Sequence, residues 1–201
     1  MKLKYFSLIT LFLLLIAVSL VWAYPPGVGI TSKSKNCLSC HVDNGPWKDQ
    51  ENTILDIMEK ESKKSLKQPD GTFLISAHRG ETVKLLTVIG RKAGDSAPVP
   101  VRNGWIFVDP TRIESNSLNK FATGWSVDLP ASCRLVGDQL EGYPDAKITV
   151  LQFTLRPGDE AEDSELSWQV MLTKGESVKG KAKEGMLGNY FEKKVILRVV
   201  D

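Results

Sequence analysis

The stretch TFLISAHRGETVKLLTVI, residues 72–89, reads as two short strands about a turn. The first covers 72–77 and the second 82–89, with Arg79-Gly80-Glu81 between them. In the second strand Val83, Leu85, Thr87 and Ile89 fall on one face, the period of two that a half-buried strand requires. Working outward, Asp70-Gly71 is a turn that introduces the pair. Downstream, Val99 and Val101 lead to Asn103-Gly104, a strong hairpin signal because both residues tolerate positive φ, and 105–108 continues beyond it. Further strands are expected at 125–129, 132–136, 146–155, 166–173 and 190–200. Leu166, Trp168, Val170 and Leu172 alternate with polar residues, and Trp105, Trp125 and Trp168 are the large side chains expected in a core.

Many short strands separated by Gly, Pro and Asp turns, with no βαβ alternation and no internal repeat, define a mainly β chain folded as a β-sandwich over residues 69–201. The strand, Arg-Gly-Glu turn and strand from Ile75 to Ile89 loosely resemble the opening of an immunoglobulin-like domain, a likeness of architecture only. Residues 51–68 admit two readings. Ile54, Leu55, Met58 and Ser62 lie roughly on one helical face with Asn52 as cap, and the density of Lys and Glu favours this reading. The other is a strand through Ile54 and Met58 turning at 61–64.

The N-terminus carries a different signal. Lys2 and Lys4 precede an almost wholly apolar run from Leu8 to Trp22, and Val21-Trp22-Ala23 offers a cleavage site before Tyr24-Pro25-Pro26. This is the layout of a secretory signal peptide over residues 1–23. The run is shorter than the roughly 20 residues of a spanning helix, so membrane contact is expected only if the leader is not cleaved. Loss of the leader removes two lysines and no acid. That leaves 24 basic against 24 acidic residues, of the 26 and 24 in the whole chain. A formally neutral chain without a clustered basic surface excludes a nucleic-acid partner.

Residues 24–68 hold the chemistry. They begin with irregular, Pro-, Gly- and Ser-rich chain around Cys37-Leu38-Ser39-Cys40-His41. The pentapeptide matches the Cys-x-x-Cys-His attachment sequence at every fixed position, and on it the chain resembles the c-type cytochromes. The resemblance implies one haem c bound through thioethers at Cys37 and Cys40, with His41 as the proximal iron ligand. It also implies maturation after export, in the periplasm or its equivalent. A thioredoxin-like site would need a βαβ setting, and a zinc site a further ligand at suitable spacing; neither surrounds the motif. No helix precedes Cys37, and about 45 residues are few for a complete helical haem fold, so the haem segment is expected to lean on the β domain.

For the second axial position His78 is the candidate, because it alone can complete a bis-histidine site in a chain with two histidines. Met186 in Gly185-Met186-Leu187-Gly188 is the alternative, and an open position is a third. Met58, Met171 and Cys133 read more simply as packing residues. The expected function is electron transfer with redox partner proteins, as part of or docking to a larger redox system, with binding of a small gas such as nitric oxide as the alternative. No constellation of acid–base groups argues for a haem enzyme.

Overall fold

The structure is a computed structural model that describes residues 36–39, 41–112, 120–174 and 187–200. The leader lies outside these residues, as do Cys40 and Met186. The described chain holds ten strands: β1 Val42–Asp43, β2 Thr53–Glu59, β3 Phe73–His78, β4 Val83–Arg91, β5 Arg102–Val108, β6 Trp125–Val127, β7 Ala131–Leu135, β8 Lys147–Pro157, β9 Ser164–Thr173 and β10 Leu187–Val200. They form two sheets packed face to face, a β-sandwich. One sheet runs β1-β10-β9-β5-β7, with β3 also pairing β10. The other runs β2-β4-β8-β6.

Alternation within the strands explains the layers. Trp105 and Phe107 of β5, Trp168, Val170 and Leu172 of β9, and Val195 of β10 face Leu55 and Ile57 of β2, Leu85 and Ile89 of β4 and Phe153 of β8. Phe107 stacks on Phe153 across the sheets at 5.1 Å and on Trp168 at 5.8 Å, while Phe73 meets Trp168 edge-on at 5.5 Å. All three tryptophans picked from the sequence, Trp105, Trp125 and Trp168, are buried.

In two places the fold departs from the sequence expectation. Asn103-Gly104 is not a turn: β5 runs straight through it, paired on both sides with β9 and β7. The Asn103 carboxamide points inward and donates to the Ile89 carbonyl at 2.9 Å and the Thr149 hydroxyl at 3.1 Å, stitching one sheet to the other. These buried bonds outweigh a local turn preference. Residues 51–68 take the strand reading rather than the helical one. Ile54 and Met58 cover one face of β2 while Leu55 and Ile57 enter the core, and the turn after Glu59 is closed by its N–H to the Lys64 carbonyl. Since β2 pairs with β4 along its whole length, the sandwich starts well before residue 69.

Candidate functional site

The outer face of the first sheet is where the Cys37–His41 motif rests. Cys37–Ser39 form a single 3-10 turn, and the His41 N–H donates to the Cys37 carbonyl at 3.0 Å. That bond holds the backbone of His41 close to that of Cys37. The Cys37 thiol lies 3.9 Å from Oε1 of Gln169, a buried residue on the outward side of β9. Beside it, Tyr190 donates to Glu192 at 2.9 Å, and Glu192 also accepts from the Ser167 hydroxyl. Burial and the neighbouring Glu192 carboxylate push the Tyr190 phenol well above its ordinary range.

Strand register shows what else this face carries. Tyr190, Met171, Gly104 and Cys133 form one row across β10, β9, β5 and β7. Met171 is buried and stands two residues along β9 from Gln169 on the same side. Gly188 makes room for it, because a side chain there would meet the Met171 methyl at 2.9 Å and overlap the Leu172 carbonyl. Cys133 flanks Gly104, and burial raises its thiol pKa against the opposing pull of Arg102.

The structure does not bring His78 to this place. His78 is exposed at the far end of β3, in register with Val200 of β10. Gln169, under Cys37, is in register with Glu192. Eight residues along β10, at about 3.3 Å each, separate the two positions by roughly 26 Å. Parallel pairing of β3 with the C-terminal half of β10 is the reason: closeness in sequence placed His78 near the motif, whereas the strand direction carries it away. Met186 lies outside the described residues.

The chain after His41 is tied to the sandwich residue by residue. β1 pairs in parallel with Leu187 and Gly188. The Gly45 N–H donates to the Gly188 carbonyl at 2.7 Å. Trp47, 1% exposed, enters the main core, and its indole N–H donates to the Pro98 carbonyl at 2.5 Å. Two residues on, Asp49 meets Arg91, a buried guanidinium that reaches Asp49 at 2.6 Å, Asp95 at 2.5 Å and the Thr53 hydroxyl at 2.5 Å. The bond from Arg91 holds the Asp95 carboxyl below its ordinary range against the effect of burial. Sequence patterning missed these anchors. Trp47 carried the one available signal, a large apolar side chain alone in a Pro- and Gly-rich stretch. Beside them a shallow groove is lined by Asn44, Pro46, Trp47, Pro98, Val99 and Lys174.

No family model matches the chain, and no curated protein does. Among solved structures it is similar to the ASH/PapD-like domain of human CEP192 (PapD-like domain 7), at 13% identity over 78% of this chain and 92% of that one, with a TM-score of 0.34. It is also similar to WR4, a C. elegans MSP family member, at 12% identity over 63% and 92%, with a TM-score of 0.32. The N-terminal domain of PorA gives 9% identity over 73% and 97%, with a TM-score of 0.34. These likenesses concern β-sandwich architecture and say nothing of residues 37–41.

Proposed function

We propose that this protein is an exported monohaem c-type cytochrome that transfers electrons through a haem held against the outer face of its β-sandwich. The observation that carries the reading is the complete Cys37-Leu38-Ser39-Cys40-His41 sequence, whose first cysteine lies against Gln169 of β9. That donor set fits a haem: two thiols for two vinyl groups and an imidazole for the iron. Cys37 and Cys40 would hold the haem through thioether bonds to its two vinyl groups. When bound, the haem supplies a one-electron ferric–ferrous couple.

The remaining work belongs to the chain. Cys37 and Cys40 hold the group, and His41 is its proximal donor. Met171, on the same outward side of β9 as the Gln169 beneath Cys37, would be the second donor to the iron in place of His78. The sandwich excludes water from that side: Gln169 and Met171 are both buried there. Leu38 and Val42 remain exposed within and beside the motif. They are apolar side chains that a redox partner protein would meet there.

The test is expression with a c-type maturation system, followed by mass measurement of the denatured protein and absorption spectra with and without carbon monoxide. The reading expects one haem retained after denaturation and a low-spin spectrum little changed by carbon monoxide. Complete loss of haem to acid-acetone would refute it. Rapid carbon monoxide binding would instead turn the assignment toward small-gas binding.

A further inference from the structure

Asn189 stands where a β-sandwich has no use for a carboxamide. It lies on the inward side of β10, 2% exposed, in register with the fully buried Leu172. A buried amide left without partners costs about 1–3 kcal/mol, so its bonds must be accounted for. Its side chain bonds to the segment just past His41. Oδ1 accepts the Trp47 N–H at 2.6 Å, and Nδ2 donates to the Asp43 carboxylate at 3.0 Å. The same Asp43 oxygen accepts the Tyr190 N–H at 3.1 Å. Residues 43–47 thus wrap around one side chain. Gly45 is required for the wrap, because a Cβ there would lie 2.6 Å from the Asn189 oxygen.

The wrap constrains His41. The His41 N–H is already fixed to the Cys37 carbonyl, and two residues later the chain is fixed again at Asp43. Between those two points only Val42 intervenes, itself bridged to Leu187. Backbone held on both sides leaves the imidazole little freedom beyond its own torsions. Resting on the cytochrome reading above, we propose that Asn189 is a positioning residue: by clamping Asp43 and Trp47 it sets the orientation in which His41 meets the haem iron. Groups bonded directly to a metal-bound histidine change metal affinity or activity by roughly 10- to 100-fold when replaced, and Asn189, acting through the backbone, is expected at the lower end of that range.

The experiment compares haem-loaded wild type with N189L, N189D and the double variant N189D/D43N. N189D alone sets a second carboxylate against that of Asp43 and loses the donor. Adding D43N supplies that donor from the other side, while leaving an oxygen for the Tyr190 N–H. The readouts are the electron paramagnetic resonance spectrum of the ferric protein, the midpoint potential, and titration with free imidazole as a competitor for the iron. N189L and N189D are expected to bind free imidazole roughly tenfold more tightly, with altered ferric signals and potential. N189D/D43N is expected to return to near wild-type values. If N189L does not fold, the pair N189D and N189D/D43N decides alone. Haem-bearing variants that all share the wild-type signals and imidazole affinity would overturn the role of Asn189 and leave the cytochrome intact. Wild type carrying no covalent haem would overturn both.

Discussion

Replacing Trp47 with Ala tests whether the motif segment is structurally part of the sandwich. The side chain is 1% exposed and belongs to the main core with Trp105, Phe107 and Trp168. Truncating a buried tryptophan costs about 3–5 kcal/mol through lost transfer energy and the cavity left behind. The indole bond to the Pro98 carbonyl adds about 1 kcal/mol. A domain has only about 5–15 kcal/mol in total, so Trp47→Ala should remove a large share of the stability. In a domain of this size each kcal/mol moves Tm by about 2–4 °C, which predicts a fall of at least about 8 °C. Urea unfolding followed by circular dichroism measures the change directly, with Trp47→Phe as a milder control retaining most of the volume. A loss below about 1 kcal/mol for Trp47→Ala, no more than the indole hydrogen bond alone is worth, would show that residues 42–49 are an appendage, and the anchoring of His41 would fail with it.

His78→Ala should leave both the haem spectrum and the stability unchanged, whereas Met171→Ala should convert the ferric haem toward high spin; absorption spectra separate the two. Asn103→Leu should cost about 2–3 kcal/mol in urea unfolding, because the Ile89 carbonyl and the Thr149 hydroxyl lose a buried donor. Arg91→Met should be strongly destabilising, by about 3–5 kcal/mol, since it strands the buried carboxylate of Asp95. The same cluster sets an acid dependence. Asp95 has a lowered pKa in the folded state, so its contribution is complete above the unfolded carboxyl value of about 3.9 and disappears as pH falls through the folded value. Unfolding free energies measured from about pH 6 down to about pH 2.5 should therefore show a smaller acid loss in Arg91→Met than in wild type.

Local pattern alone was enough for the sandwich, and it is what the proposed haem attachment rests on. Period-two alternation marks a buried strand wherever it occurs, so β3, β4, β8, β9 and β10 were legible, as were the buried tryptophans of β5, β6 and β9. Cys37, Cys40 and His41 are proposed on a different ground: covalent attachment would need its thiols and imidazole close together in the chain, and such chemistry is written in spacing. What depends on long-range pairing was not legible. Asn103-Gly104 has the local preferences of a turn, and only the carbonyl of Ile89 and the hydroxyl of Thr149, supplied by the opposite sheet, make it a strand. Residues 53–59 carry enough Lys, Glu and Leu nearby to suit a helix, until β4 offers an edge to pair with. His78 and Met171 exchanged places as candidate ligands because strand direction and register, which no local pattern encodes, send one to the far end of β10 and set the other on the face beneath Cys37. Asn189 falls just outside the strand expected at 190–200; its meaning exists only because the chain from 43 to 47 folds back over it.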